Sequence, residues 1–589
     1  MLGHPMISRC QKNPLRSLVW ITLGLLLACS QTDREFEVHH DLLEMSDANG
    51  ATITKQALLA FGVAVVPDSR LVVRLRNQSR SVPIEVLARR DEVGSGALWP
   101  RRSKDGAWIY SLDPFAGELI RLELRVPRTS ALSQIGLEAL RIEAPAANEP
   151  KTAIERGPYN VLVILLDSLR ADHLTPYGAD ARDTPHLAEL ASQGVVFTRA
   201  RTNATWTRPS VVSMFSSRYP WQHGVLTPDA LLPASLPYLP EMLGAAGYRA
   251  VGASGNDMVS ALFGLDRGFE SLASLRRSPR YRTSRDPAER AQIVWDALLA
   301  GPSTGDRPFF AYLHQLDPHS PYRPPTRFRR QYLGDRDDSL SQSAERLEDI
   351  RHLRMRSEAL DPRQVDTFAR LYKGEVAFMD AYVGELMQQL EIRGLAKNTL
   401  VVFTSDHGEE FYEHQSMGHG HSVYEELLRV PLILRLDGVL PAGLRIDTPV
   451  ELLDLAPTLL DMLGQPIPEA MQGQSLLPLV ASPDSTHPRP QLATSGEPAQ
   501  HAIQWGKFKL VRRMPATVGE NTEFRLFDLE ADPRERRDIS KNFPVTTSAL
   551  VDLLDRDLRR AATTREAVPR ATIDAETLEA LKAIGYVDP

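Results

Sequence analysis

Two short apolar runs dominate the patterning of this chain, and each stops at an acid. Residues 161–166 read VLVILL and end at Asp167; residues 399–405 read TLVVFTS and end at Asp406 and His407. Runs this short and this β-branched suit parallel strands buried on both faces. In an open α/β sheet the carboxyl edge of such strands is where ligands bind, so Asp167 and Asp406 are expected at one edge. Further strands are predicted at VVFTRA, GYRAVGAS and FFAYLHQLDPH, and they alternate with helices. Thr184 and Pro185 open one helix that Gly194 closes, and Asp361 and Pro362 open a long amphipathic one. The alternation predicts an α/β domain, a mostly parallel sheet flanked by helices.

The period changes on either side. From residue 51 to about 148, short alternating runs such as RLVVRLRNQS, GAWIYSLDP and ELIRLELRVP are separated by Gly, Pro, Asn and Ser, the pattern of a small β-sandwich. It reads as a structural accessory domain or a carbohydrate-binding module. The α/β domain is expected over 158–545, with FKLVRR and RLFDLEADPRE in a smaller antiparallel subdomain near its end. Residues 546–589 read as a helical, docking tail. Residues 323–361, rich in Arg and Glu, suggest a surface insertion.

Composition adds little until the cysteines are counted. The chain has 589 residues, 42% hydrophobic and 24% charged, with net charge −7. That balance supports more than one domain and gives no basic face for nucleic acid, so no nucleic-acid partner is expected. Arg9, Lys12 and Arg16 precede an apolar run, Leu18 to Ala28, too short to span a bilayer. It ends in Leu26, Leu27, Ala28 and Cys29, which resembles a bacterial lipoprotein signal. Residues 1–28 are therefore expected to be removed and Cys29 lipidated, placing the protein on the bacterial cell envelope, with 29–50 as a flexible spacer. The two cysteines are Cys10 and Cys29, so the expected mature chain holds no disulfide.

The segments DSLRADHLTPYG, TPHLAELASQGVVFTRA, TWTRPSVVSMFSSRYP and SDHGEEFYEH, in that order, resemble the sulfatase family of the alkaline phosphatase superfamily. The resemblance covers residues 159 to 540 and implies an alkaline-phosphatase-like fold. Members carry a Cys or Ser in a C/S-x-P-S-R turn, oxidised to formylglycine as the nucleophile. Here Thr207 holds that position and Val211 stands where the Arg belongs, so no formylglycine is expected. In this chain's TWTRPS segment, Thr207 reads as a helix N-cap with Pro209 in the first turn. Thr is the nucleophile in phosphodiesterase and phosphoglycerol or phosphoethanolamine transferase relatives of the superfamily.

Transfer of a sulfuryl or phosphoryl group calls for positive charge at the group and a lowered pKa at an alcohol nucleophile, both of which a metal supplies. The expected site is one divalent cation held by Asp167, Asp406, His407 and Thr207. Ser168 and His407 stand where the family's calcium site has a second acid and an Asn, which moves the expectation from calcium toward manganese or zinc. His319, in DPHSPY, matches a substrate-contacting His of the family, and His419 or His421 falls near its substrate-binding Lys; either could protonate a leaving group. Asn256 and Asp257 fall near another substrate-contacting position. His314 reads as strand packing, and His414 as a loop hydrogen-bonding residue or a site residue. The expected activity is hydrolysis of an anionic sulfuric or phosphoric ester, of a glycan or lipid head group, through Thr207. The alternatives are a phosphoglycerol- or phosphoethanolamine-type transferase and an inactive, surface-anchored binding protein.

Overall fold

The computed structural model describes residues 19–20, 36–41, 52–54, 59–65, 68–75, 84–91, 94–103, 106–126, 134–145, 154–299, 307–334, 360–483, 489–496, 499–515, 521–564 and 568–573. Cys29, nearly all of the expected signal, residues 335–359 of the charged insertion and the end of the tail lie outside them. Among the described residues no helix is long and apolar enough to cross a membrane. The chain divides into two compact units, Met1–Ala147 with Ser540–Asp557, and Asn148–Ile539 with Leu558–Pro589.

The larger unit is built on an eight-stranded sheet, numbered here along the chain: β1 (Asn160–Leu166), β2 (Val195–Phe197), β3 (Arg249–Ser254), β4 (Ser271–Ser274), β5 (Phe309–Gln315), β6 (Thr399–Thr404), β7 (Leu432–Arg435) and β8 (Leu444–Ile446). Their order across the sheet is β4-β3-β5-β1-β6-β7-β2-β8. β1 lies between β5 and β6 and is parallel to both, whereas β7 runs antiparallel to β6 and β2. Every residue of β1 is buried, and its alternate side chains enter two different cores. Val161, Val163 and Leu165 face one core; Leu162, Ile164 and Leu166 face the other. That two-sided burial is why the strand reads as an unbroken apolar run and not as an alternation.

Helices cover both faces. The long helix Pro362–Ile392 is capped by Asp361, whose side chain accepts from the Arg363 N–H at 2.9 Å. It buries Tyr372 and Tyr382, among others, against the sheet. A second, antiparallel sheet of four strands, Gln491–Thr494, Gln500–Trp505, Phe508–Arg513 and Glu523–Asp528, forms the smaller subdomain expected near the end of the unit.

The smaller unit is a β-sandwich. One sheet sets Leu59–Ala64, Leu119–Arg125, Glu85–Arg90 and Gly94–Leu98 side by side. The other is centred on Gln134–Pro145. The expected spacer contributes to it: Phe36–Asp41 pairs antiparallel with Gln134–Pro145, so part of 29–50 is strand instead of linker. The start of the helix Pro544–Thr564 belongs to this unit, its Val545 and Thr546 N–H groups each 2.8 Å from the carboxylate of Asp91. Gly62 makes that docking possible, since a Cβ there would lie 2.5 Å from the Ala549 backbone.

Candidate active site

The carboxyl ends of β1, β5 and β6 bring Asp167, His314, Asp406 and His407 together, all fully buried. Register explains how. Leu165 pairs with His314 across β1 and β5, and with Thr404 across β1 and β6, so the residues just beyond meet at one edge. His314 Nε2 lies 3.0 Å from Asp167 Oδ2, and its Nδ1 is 2.8 Å from the Tyr312 hydroxyl. His314 is therefore a site residue, not the packing residue its place inside a strand suggests. His407 Nε2 lies 3.6 Å from Asp167 Oδ1 and 3.4 Å from Asp406 Oδ2. Its Nδ1 donates to the Gly408 carbonyl at 2.9 Å, which leaves Nε2 as the nitrogen facing the acids.

Local backbone holds the acids in place. Ser168 adopts a left-handed conformation, φ 59°, which turns the chain sharply after Asp167. The turn is pinned from the long helix by Tyr372, whose hydroxyl donates to the Ser168 carbonyl at 2.7 Å and accepts from the Arg170 N–H at 2.9 Å. Asp406 Oδ1 accepts from the N–H groups of Ser168 and His407, at 3.2 and 3.0 Å. Gly408 is required by space, because a Cβ there would sit 1.9 Å from the Glu426 carbonyl oxygen. Arg170, buried, donates to the Glu409 carbonyl and to Glu413, tying down the loop beyond.

Thr207 enters from the helix Thr207–Ser216, every residue of which is buried. The residue before the helix is Trp206, in extended conformation, so Thr207 is the first helical residue and not its N-cap. Its hydroxyl turns into the cluster, 3.5 Å from Asp167 Oδ2 and 3.4 Å from His407 Nε2. Asn256 Nδ2 donates to Asp167 Oδ2 at 2.6 Å and reaches Thr207 Oγ1 at 3.4 Å, placing it in the site, whereas Asp257 pairs with Arg276. Ser210 Oγ donates to the Asp406 carbonyl at 2.7 Å, fixing the helix to the end of β6. Val211 packs in the apolar core. The neighbouring Arg208 does not replace the missing Arg: it donates to the Ala230 and Pro228 carbonyls and lies 3.5 Å over the Phe263 ring.

Above the acids three imidazoles lie in sequence, in tilted and edge-to-face contact. The His407 and His419 ring centres are 4.3 Å apart, and those of His419 and His319 are 4.8 Å apart. His419 Nδ1 is 2.9 Å from the buried Glu409 carboxylate. His421 turns the other way, its Nε2 2.7 Å from Glu410, and borders a separate cavity with His414. Of the two candidates in MGHGH, only His419 joins the cluster. The reversal follows from Gly418 and Gly420, at φ 81° and 83°.

The buried group sets two carboxylates against three imidazoles. Burial pushes both carboxyls up. At Asp167 the charges of His319, His314 and His407 and the His314 hydrogen bond win, and hold it below the usual carboxylate range. At Asp406 burial and the Asp167 charge win, and its pKa is raised. Asp406 Oδ2 has no hydrogen-bond partner among the described residues. Asp167, His314 and Asp406 each offer a donor atom within 4.8 Å of the others, and His407 Nε2 faces both acids. The set of two carboxylates and two imidazoles fits a divalent cation, and includes one ligand, His314, beyond those read from the sequence.

Comparison with known proteins follows the same lines. Residues 159–465 match the sulfatase family model, and residues 413–563 match the model for the N-sulphoglucosamine sulphohydrolase C-terminal region. An ulvan-active sulfatase of Formosa agariphila is 25% identical over 405 residues, 64% of this chain and 76% of that protein. The phosphonate monoester hydrolase of Silicibacter pomeroyi superposes with a TM-score of 0.56 at 22% identity, covering 69% of this chain and 96% of its own. A structure solved in complex with its substrate D-glucosamine-2-N,6-O-disulfate superposes with a TM-score of 0.57 at 19% identity, covering 69% and 99%.

Proposed function

The chain belongs to the sulfatase family, whose model matches just over half of it, and from that premise we propose that it is a metal-dependent ester hydrolase with Thr207 as nucleophile. The observation that carries this reading is the Thr207 hydroxyl, turned into a buried cluster of two acids and two imidazoles in place of a Cys or Ser. Asp167, His314, Asp406 and His407 would hold the cation, with Thr207 Oγ1 beside it. When bound, the cation supplies positive charge to the alkoxide and to the anionic ester. Two imidazole donors favour zinc or manganese over calcium.

The residues divide the remaining work. Thr207, ionised by loss of its hydroxyl proton to solvent, bonds through Oγ to the phosphorus or sulfur of the ester, and the ester oxygen leaves with a proton from His419, which Glu409 orients. The positive end of the helix that begins at Thr207 faces the anion. A formylglycine hydrate can expel its group by collapsing to an aldehyde, but a Thr ester cannot. Water must therefore attack the esterified phosphorus or sulfur, giving a proton back to His419 and releasing the acid, with Thr207 Oγ leaving as the alkoxide. Asn256 positions Asp167 and Thr207, and His319 lies edge-on to His419. Two features favour phosphoric or phosphonic esters over sulfate: the Thr nucleophile and the apolar Val211. A sulfated glycan is the second reading, favoured by the ulvan-active relative and by the disulfated sugar in the neighbouring structure.

The test is a panel of nitrophenyl sulfate, phosphate, phosphodiester and phosphonate esters, with the chain from Ser30 onward and its Thr207→Ala variant, under manganese, zinc or calcium. Phosphodiester or phosphonate turnover that vanishes in Thr207→Ala supports the reading; sulfate turnover that survives the substitution removes Thr207 from the mechanism. Attachment of the enzyme to the bacterial envelope through lipidated Cys29 belongs to the same proposal. Cys29→Ser should move it from the membrane to the soluble fraction.

A further inference from the structure

On the far side of the loop that carries His419 lies a second group of ligand-type side chains. His414, Glu426 and Glu535 each offer a donor atom, all within 4.8 Å of one another. His414 Nε2 is 3.5 Å from Glu426 Oε1, with the two side chains 13% and 7% exposed. That oxygen of Glu426 has no hydrogen-bond partner among the described residues, although it is buried. A buried carboxylate oxygen with no hydrogen-bond donor, facing an imidazole nitrogen, is an arrangement that a divalent cation can satisfy.

The surroundings fix the donors without satisfying Glu426. The His414 ring lies flat on Tyr424, centres 3.6 Å apart and 7° between planes, and its backbone N–H donates to Glu410 at 2.9 Å. Glu535 accepts from the Glu425 N–H at 2.7 Å, and Lys509 Nζ lies 2.8 Å from Glu535 and 2.9 Å from Glu425. Lys509 thus compensates Glu535 and Glu425. His421, on the other side, is taken by Glu410. A cavity of about 950 Å³, bordered by His414 and Glu535, gives an ion access from solvent.

We propose that His414, Glu426 and Glu535 bind a divalent transition-metal cation of the zinc class, separate from the Thr207 cluster, which ties the 410–424 loop to the segment after the last strand. One imidazole and two carboxylates are a zinc-type donor set, and a 3.5 Å separation between donors is close to what a tetrahedral ion with bonds of about 2 Å requires. The cation holds the loop on which His419 rides, so its loss lowers kcat more than it raises KM.

The experiment uses the full chain, stripped by chelator, dialysed against zinc alone and assayed by elemental analysis, with anomalous diffraction from zinc-soaked crystals. The expected result is about two zinc ions per chain, about one in Glu426→Gln and about one in Asp167→Asn/Asp406→Asn, with an anomalous peak between His414 and Glu426. Equal zinc content in wild type and Glu426→Gln, or crystals with a peak at Asp406 and none at His414, would overturn the proposal. The crystal result uses the unmodified chain, so it stands even if a variant fails to fold. A wild-type peak at His414 with none at Asp406 would uphold this site while removing the cation from the Thr207 cluster.

Discussion

The cluster under Thr207 and the cluster around His414 use the same chemical parts and are assembled in opposite ways. In the first, Asp167, His314 and Asp406 stand at or beside the ends of adjacent strands of one sheet, and the ladder fixes their separations. In the second, a loop, a four-residue helix and a segment more than a hundred residues downstream supply one ligand each. Strand ends give a rigid frame whose strain, as at Ser168, is held by the surrounding packing. A loop-built cluster has no such frame and gains most from an ion that closes it. We accordingly propose chemistry at the sheet and an organising role for the loop cluster.

The largest effects should come from the sheet-end cluster. Asp406→Asn removes a ligand and its charge while keeping the shape, and kcat/KM against the best ester should fall by at least ~10⁴-fold, as removal of a central catalytic group does. A loss below tenfold would mean that the acids serve the fold alone. The two loop histidines sharpen the contrast. His419→Ala should cost ~10²- to 10³-fold as loss of a general acid, most for the poorest leaving groups, whereas His421→Ala should stay within about threefold. The reverse order would place the proton donor in the other cavity. Asn256→Ala should cost about 10- to 100-fold, mainly in kcat, because it orients Asp167 and Thr207 without bonding to the ester. Arg208→Met probes packing alone: stability in urea should drop by ~2 kcal/mol, for the lost charged hydrogen bonds to carbonyls, while the metal content of the folded protein holds. A specific loss of anion binding would instead put Arg208 in the role of the missing family Arg.

The same contrast explains what could be read along the chain. Asp167 and Asp406 announce themselves because an apolar run ends at each, and burial on both faces makes that run conspicuous. The sheet covered on both faces, the long helix from Pro362 and the antiparallel subdomain follow from the same periodicities. His314 was hidden because its role depends on the register of β5 against β1, which no spacing within either strand encodes. A trace existed: His314 alternates with Phe310 and Tyr312 and so shares their face, three residues before Asp317 opens the polar end of the run. His419 and His421 could not be separated, since two glycines with positive φ set their directions. Glu426 and Glu535 lie in unremarkable sequence and become a site only when the tertiary fold brings them to His414.

The central claim is that Thr207 bonds to the group being transferred. Acid quenching during turnover of a nitrophenyl phosphodiester, followed by mass analysis of the peptide that contains Thr207, tests it directly. The account predicts a phosphoryl ester on Thr207 that forms within the first turnover and decays as substrate is exhausted. A modified Ser210 or His419 in its place, or full turnover with every peptide unmodified and activity retained in Thr207→Ala, would contradict it.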